Sequence, residues 1–182
     1  MSNVCIIPFN GKTPVIHDSA FIAPGSRIIG DVEIGAGASI WYNCVIRGDV
    51  NFIRIGARSN IQDGTVIHCD SGMDGAGGYP TVIGEDCLVG HMVMLHGCTL
   101  QDRAFAGLGS IVMDGCIIES DAMLAAGAML TPGKRIPSRE MWGGRPAKLM
   151  RALDDMFLMG NQMGVAHYVL NATRHKAAVS ES

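Results

Sequence analysis

The chain has 182 residues, enough for one sizeable domain with its own core, and carries 14 Lys plus Arg against 17 Asp plus Glu. A net charge of −3 gives no reason to expect nucleic acid or an anionic membrane as a partner. No apolar run reaches the roughly 18 residues a bilayer span needs, and the first ten residues lack a signal-peptide pattern, so a soluble cytoplasmic protein is expected.

In chain order, the first expected element is a hairpin over IIPFNGKTPVI, residues 6–16, where Asn10-Gly11 is a strong turn signal. It should cap the body that follows. From Ile16 an apolar residue recurs every six positions: Ile16, Ile22, Ile28, Ile34, Ile40 and Ile46. A three-residue insertion intervenes, and Ile55, Ile61 and Ile67 resume the frame. Ten further inserted residues lead to Ile83, Val89 and Leu95, one residue is dropped, and Leu100, Ala106, Val112, Ile118, Leu124, Leu130 and Ile136 complete it. All but Ala106 of these 19 positions are Ile, Leu or Val, although those types supply only 41 of 182 residues, so the repeat is a property of the fold.

One hexad cannot bury its apolar residue alone. Stacked coils bury the whole row as a prism core, each coil bonding to the next at about 4.8 Å. The fifth hexad position is mostly small, which makes Cys44, Cys87 and Cys116 fillers of the prism wall. Beyond Pro146 the period changes, and Leu149, Leu153, Met156 and Met163 suit an amphipathic helix over about 146–174, with Gly160 its weak point. The expected division is a β-helix with its hairpin cap over 1–145 and a helical tail over 146–182, packed on the prism or on a neighbour. The methionines of that tail read as packing surface.

With three hexads per coil, frame residues three hexads apart share a face. The faces beginning at Ile55, Ile61 and Ile67 are called one, two and three. His68 follows Ile67 and His96 follows Leu95, so the two stack on face three in consecutive coils, suited to holding one metal; Arg47 lies one coil earlier in the column. His91 is the third residue of a face-two hexad, above Asp63 and separated from the pair by a prism corner. Each histidine alone reads as an exposed residue on a polar wall. Together they make a three-ligand site if face two of one subunit meets face three of the next, and three prisms close that contact into a ring. Three histidines with an open fourth position are a catalytic zinc set, in which water ionises near pH 7 and supplies hydroxide. Such sites also accept Co2+ or Fe2+. Gln62 and Asp63 are placed to hydrogen-bond that water or a ligand imidazole.

The hexads resemble the hexapeptide-repeat family, which winds as a left-handed parallel β-helix. VIRGDVNFIRIGARSNIQDGTVIH (45–68) and GHMVMLHGC (90–98) resemble the γ-class carbonic anhydrases and their shorter bacterial relatives. That resemblance implies a homotrimer with metal at its interfaces, held by His68 and His96 of one chain and His91 of the next. It implies an interface salt bridge of Arg47 with Asp49, orientation of hydroxide and substrate by Gln62 and Asp63, and an active-site tyrosine at Tyr168. Two departures stand out. Val50 occupies the place of a proton-exporting glutamate, and the insertion DSGMDGAGGYP (70–80) has Asp70 and Asp74 but no glutamate. The implied activity is reversible hydration of CO2 to bicarbonate. Hydrolysis of a thioester or small ester on the same metal, and a non-catalytic metal-stabilised interaction module, are the alternatives.

Overall fold

A computed structural model describes residues 4–72 and 77–180. The chain forms a parallel β-solenoid of about seven turns with one C-terminal helix, in keeping with the left-handed β-helix of hexapeptide repeats that the sequence implied. Short strands lie at the frame positions, and successive coils pair in register, Ile61 with Val89 and Ile67 with Leu95 among them. The frame residues Ile28, Ile40, Ile46, Ile61, Ile67, Ile83, Leu95, Leu100, Ile118, Leu124 and Leu130 are wholly buried and form one continuous column. That burial, worth about 1.5–3 kcal/mol for each large side chain, is what offsets the entropy of ordering so many turns.

The irregularities of the repeat position the site. Strands Arg27–Ile34 and Val45–Ile55 run unbroken around the corner from face three to face one, and the three-residue insertion bulges between Gly48 and Ile53. Asn51 on that bulge donates from Nδ2 to the carbonyls of Asp70 and Gly77, both at 3.1 Å, stitching it to the ten-residue insertion. Asp74 lies outside the described residues. The dropped residue is absorbed at Gly97, whose φ of +53° few side chains tolerate.

Both ends differ from expectation. Phe9 and Lys12 do close a tight turn through two 2.9 Å backbone bonds around Asn10-Gly11. The flanking strands Cys5–Ile7 and Val15–Ile16, however, pair with strand Arg27–Ile34 and not with each other. The exposed edge of that long strand offers both of them a ladder, so the segment joins the solenoid as a partial coil.

At the other end, the helix does not begin near 146. Glu140–Gly143 pairs parallel to Met123–Leu124, and Lys148–Ala152 returns antiparallel to it, so face two is extended by a hairpin. The helix spans Asp155–Ser180 and is continuous through Gly160. Asp154 caps it, its Oδ1 accepting the Phe157 N–H at 2.8 Å, and Arg139 ties Asp155 at 2.6 Å. It returns along face two, burying Val165 and Ala172 and placing Tyr168 and His175 against Trp41. Lys176 pins its far end to the carbonyls of Asp18 and Ala20 at 2.8 and 3.2 Å.

Candidate metal centre

His68 ends strand Val66–His68 and His96 ends strand Met94–His96, and the two are register partners. Their rings lie 5.1 Å apart, with His68 Nδ1 3.1 Å from His96 Nε2. The outer nitrogens are both engaged: His68 Nε2 with Asp49 Oδ1 at 2.8 Å, and His96 Nδ1 with Asp114 Oδ1 at 2.5 Å. A carboxylate can only accept, so each outer nitrogen is the donor. In neutral rings the two inner nitrogens then face each other with lone pairs, and a proton or a metal ion between them relieves that. Two nitrogens bound to one tetrahedral zinc at 2.0–2.1 Å stand about 3.3 Å apart, close to the spacing here.

His91 sits in the corner turn after strand Leu88–Val89, 43 % of its side chain exposed. Its Nδ1 lies 2.9 Å from Asp63 Oδ2, which leaves Nε2 directed away from that contact. The corner stacks coil on coil, Met92 N–H donating to the Asp63 carbonyl at 2.9 Å, while Asp63 Oδ1 accepts the Tyr42 N–H at 3.3 Å. Among the described residues of one chain, no three His, Cys, Asp or Glu side chains gather as a metal-holding group. The donor set fits a divalent ion only as two plus one: imidazoles backed by carboxylates, the usual way of fixing a ligand tautomer.

The remaining candidates divide. Asp49 lies between His68 and Arg47 Nη1, which is 2.5 Å from its Oδ2, so the Arg47–Asp49 pair closes here within one chain. Burial pushes the Asp49 carboxyl up, but the hydrogen bonds from His68 and Arg47 outweigh it and hold the group below the ordinary aspartate range. Gln62 is only 5 % exposed, and its amide donates to Asn60 Oδ1 at 3.0 Å, away from any imidazole of its own chain. Tyr168 is half-buried, edge-on to Trp41 at 5.4 Å; burial and then the charge of Asp63 raise its hydroxyl pKa. Val50 is exposed on the bulge. Cys69, beside His68, is buried with its thiol raised by that burial and donated towards the Asn51 carbonyl at 3.3 Å.

Two features escaped the sequence. Asp114 was one; the signal was its place two residues beyond Val112, the frame residue stacked on Leu95. The other is an exposed apolar patch of Val66, Met92, Met94 and Leu108 beside the histidines.

Residues 13–48 match the family described as bacterial transferase hexapeptide (six repeats). The chain is 44 % identical over 171 residues to the mitochondrial gamma carbonic anhydrase 2 of Arabidopsis thaliana, covering 94 % of this chain and 62 % of that one. It therefore spans about 60 % of the plant relatives it matches. Protein YrdA of Escherichia coli is 42 % identical over 170 residues, with 93 % of this chain and 92 % of that one covered. Among solved structures, a Bacillus cereus chain named as a candidate acetyltransferase superposes with a TM-score of 0.93 at 39 % identity, covering 97 % of this chain and 99 % of that one.

Proposed function

Because the chain belongs to the hexapeptide-repeat family, in its γ-class carbonic anhydrase-like branch, we propose that it hydrates CO2 reversibly at metal sites shared between the subunits of a homotrimer. The observation that carries this reading is the His68–His96 pair, whose inner nitrogens face each other at 3.1 Å while aspartates hold the outer ones. His91 of a neighbouring subunit would complete the set, and the apolar patch around Met94 supplies the surface on which that neighbour docks. Zinc is the expected ion, with Co2+ or Fe2+ as substitutes. When bound, it supplies the Lewis acidity that brings the pKa of a water near 7.

The chain's own residues do the rest. Asp49 and Asp63 fix the imidazoles of His68 and His91. Arg47 holds Asp49, within the chain or across the interface. Gln62, the residue before Asp63, and Tyr168, on the helix, would orient a substrate oxygen. The proton released at each turnover leaves through bulk buffer, since Val50 offers no relay. Among the described residues, no helix is long and apolar enough to cross a membrane.

Metal analysis with stopped-flow CO2 hydration on fresh protein, with and without reductant, tests the proposal. Hydration should be abolished by a chelator and restored by zinc. A folded, zinc-loaded trimer with no activity would overturn it. A second reading, hydrolysis of an acyl thioester on the same metal, is favoured by the acetyltransferase description of the Bacillus cereus relative, and a thioester screen showing no hydrolysis above buffer removes it. The third, a non-catalytic interaction module, predicts partners co-purifying with the intact chain and lost when the helix is deleted.

A further inference from the structure

We propose that Asp114 is a positioning residue of the metal centre, acting through His96; this rests on the metal-site reading above. Asp114 lies in the turn after strand Ile111–Val112, one coil beyond His96, and its carbonyl accepts the Gly133 N–H of the next coil at 2.9 Å. Its carboxylate reaches back across the coil to His96 Nδ1 at 2.5 Å. Room for it exists because residue 97 is glycine: a Cβ there would collide with Asp114 Oδ1 and with Tyr79.

An imidazole without a partner divides its proton between two nitrogens, so a ligand's lone pair is only partly available where a metal needs it. A carboxylate on Nδ1 settles the proton there and leaves the Nε2 lone pair facing His68. Asp49, one coil below His68, does the converse there, holding Nε2 and leaving Nδ1 facing His96, while Asp63, one coil below His91, holds its Nδ1. Asp114 gives the third imidazole the same backing from one coil above. Each ligand is thus oriented by a coil other than its own, so metal affinity depends on the stacking of the solenoid as well as on the histidines.

Two variants test this. Asp114→Ala removes the acceptor outright, and Asp114→Leu replaces it with a side chain of similar size that cannot accept a hydrogen bond. The His96 tautomer is read by 15N–1H NMR on metal-free protein, and zinc affinity by competition with a chromophoric chelator. Wild type should hold the Nδ1–H form, both variants should shift towards a mixture, and zinc affinity should fall about 10- to 100-fold. Asp121→Asn, which removes the same charge at a distant corner, should leave both readings unchanged. Far-UV circular dichroism identifies a variant that has not folded, and the other then carries the test. A wild-type tautomer and affinity in a folded variant would overturn the inference. If the protein binds zinc but does not hydrate CO2, the proposed function falls and the role of Asp114 stands. If it binds no zinc, the tautomer decides alone.

Discussion

His91 stands exposed in its corner with Asp63 behind it, while His68 and His96 are locked face to face on the next wall. The His91→Ala substitution should therefore remove bound metal and CO2 hydration together yet leave the coil intact, as measured by elemental analysis, stopped flow and circular dichroism. Cys44 and Cys87 behave oppositely, as wall fillers. Burial pushes both thiols from an ordinary 9.0 to about 12. A thiol whose folded pKa is raised favours the folded state fully below pH 9 and loses that contribution as pH rises from 9 to 12. Urea midpoints should fall between pH 8 and 10, as the unfolding free energy drops by about 1.4 kcal/mol per thiol at one unit above 9; an unchanged midpoint would mean the thiols ionise freely when folded. At this scale the three histidines were legible because counting hexads fixes which wall each occupies. Asp114 and the Gln62–Asn60 bond were not, because the choice of partner at a corner depends on the direction of a turn that the count does not contain.

Among the elements, the corner between faces one and two is turned from Arg58 onward by left-handed residues that are not glycine. Arg58, Asp86, Arg103, Asp121 and Arg139 all have φ between 57° and 62°. Their side chains pair up the stack: Arg58 with Asp86, Arg103 with Asp121, and Arg139 with Asp155 at the start of the helix. Exposed pairs contribute little one by one, but here they align the coils with the helix that closes face two. Asp154→Ala should cost about 1 kcal/mol by removing the helix cap, read as a lower thermal midpoint with unchanged coil content. The late start of that helix has a physical cause. Leu149 and Leu153 fit a helical period, yet strand Met123–Leu124 left an open edge, and the bonds offered there outweighed local propensity over 140–152.

For the whole molecule, the apolar patch of Val66, Met92, Met94 and Leu108 lies beside the His68–His96 pair and is exposed in the single chain. If it is the trimer contact, Met94→Lys should give folded monomers in sedimentation velocity that bind zinc far more weakly. Wild type should lose thermal stability on chelation, since metal at 100 times its Kd contributes about 2.7 kcal/mol. A trimeric Met94→Lys protein would place the interface elsewhere. The sequence by itself determined the prism, its core column and the wall of each histidine, because a six-residue period is a one-dimensional rule that buried side chains enforce. The tertiary structure alone decided the hairpin ahead of the helix, the pairing of the first two strands with Arg27–Ile34, and the aspartates behind His68 and His96. Those depend on which backbone edges and ring nitrogens remain unpaired once the coils have stacked, and no period in the sequence encodes that.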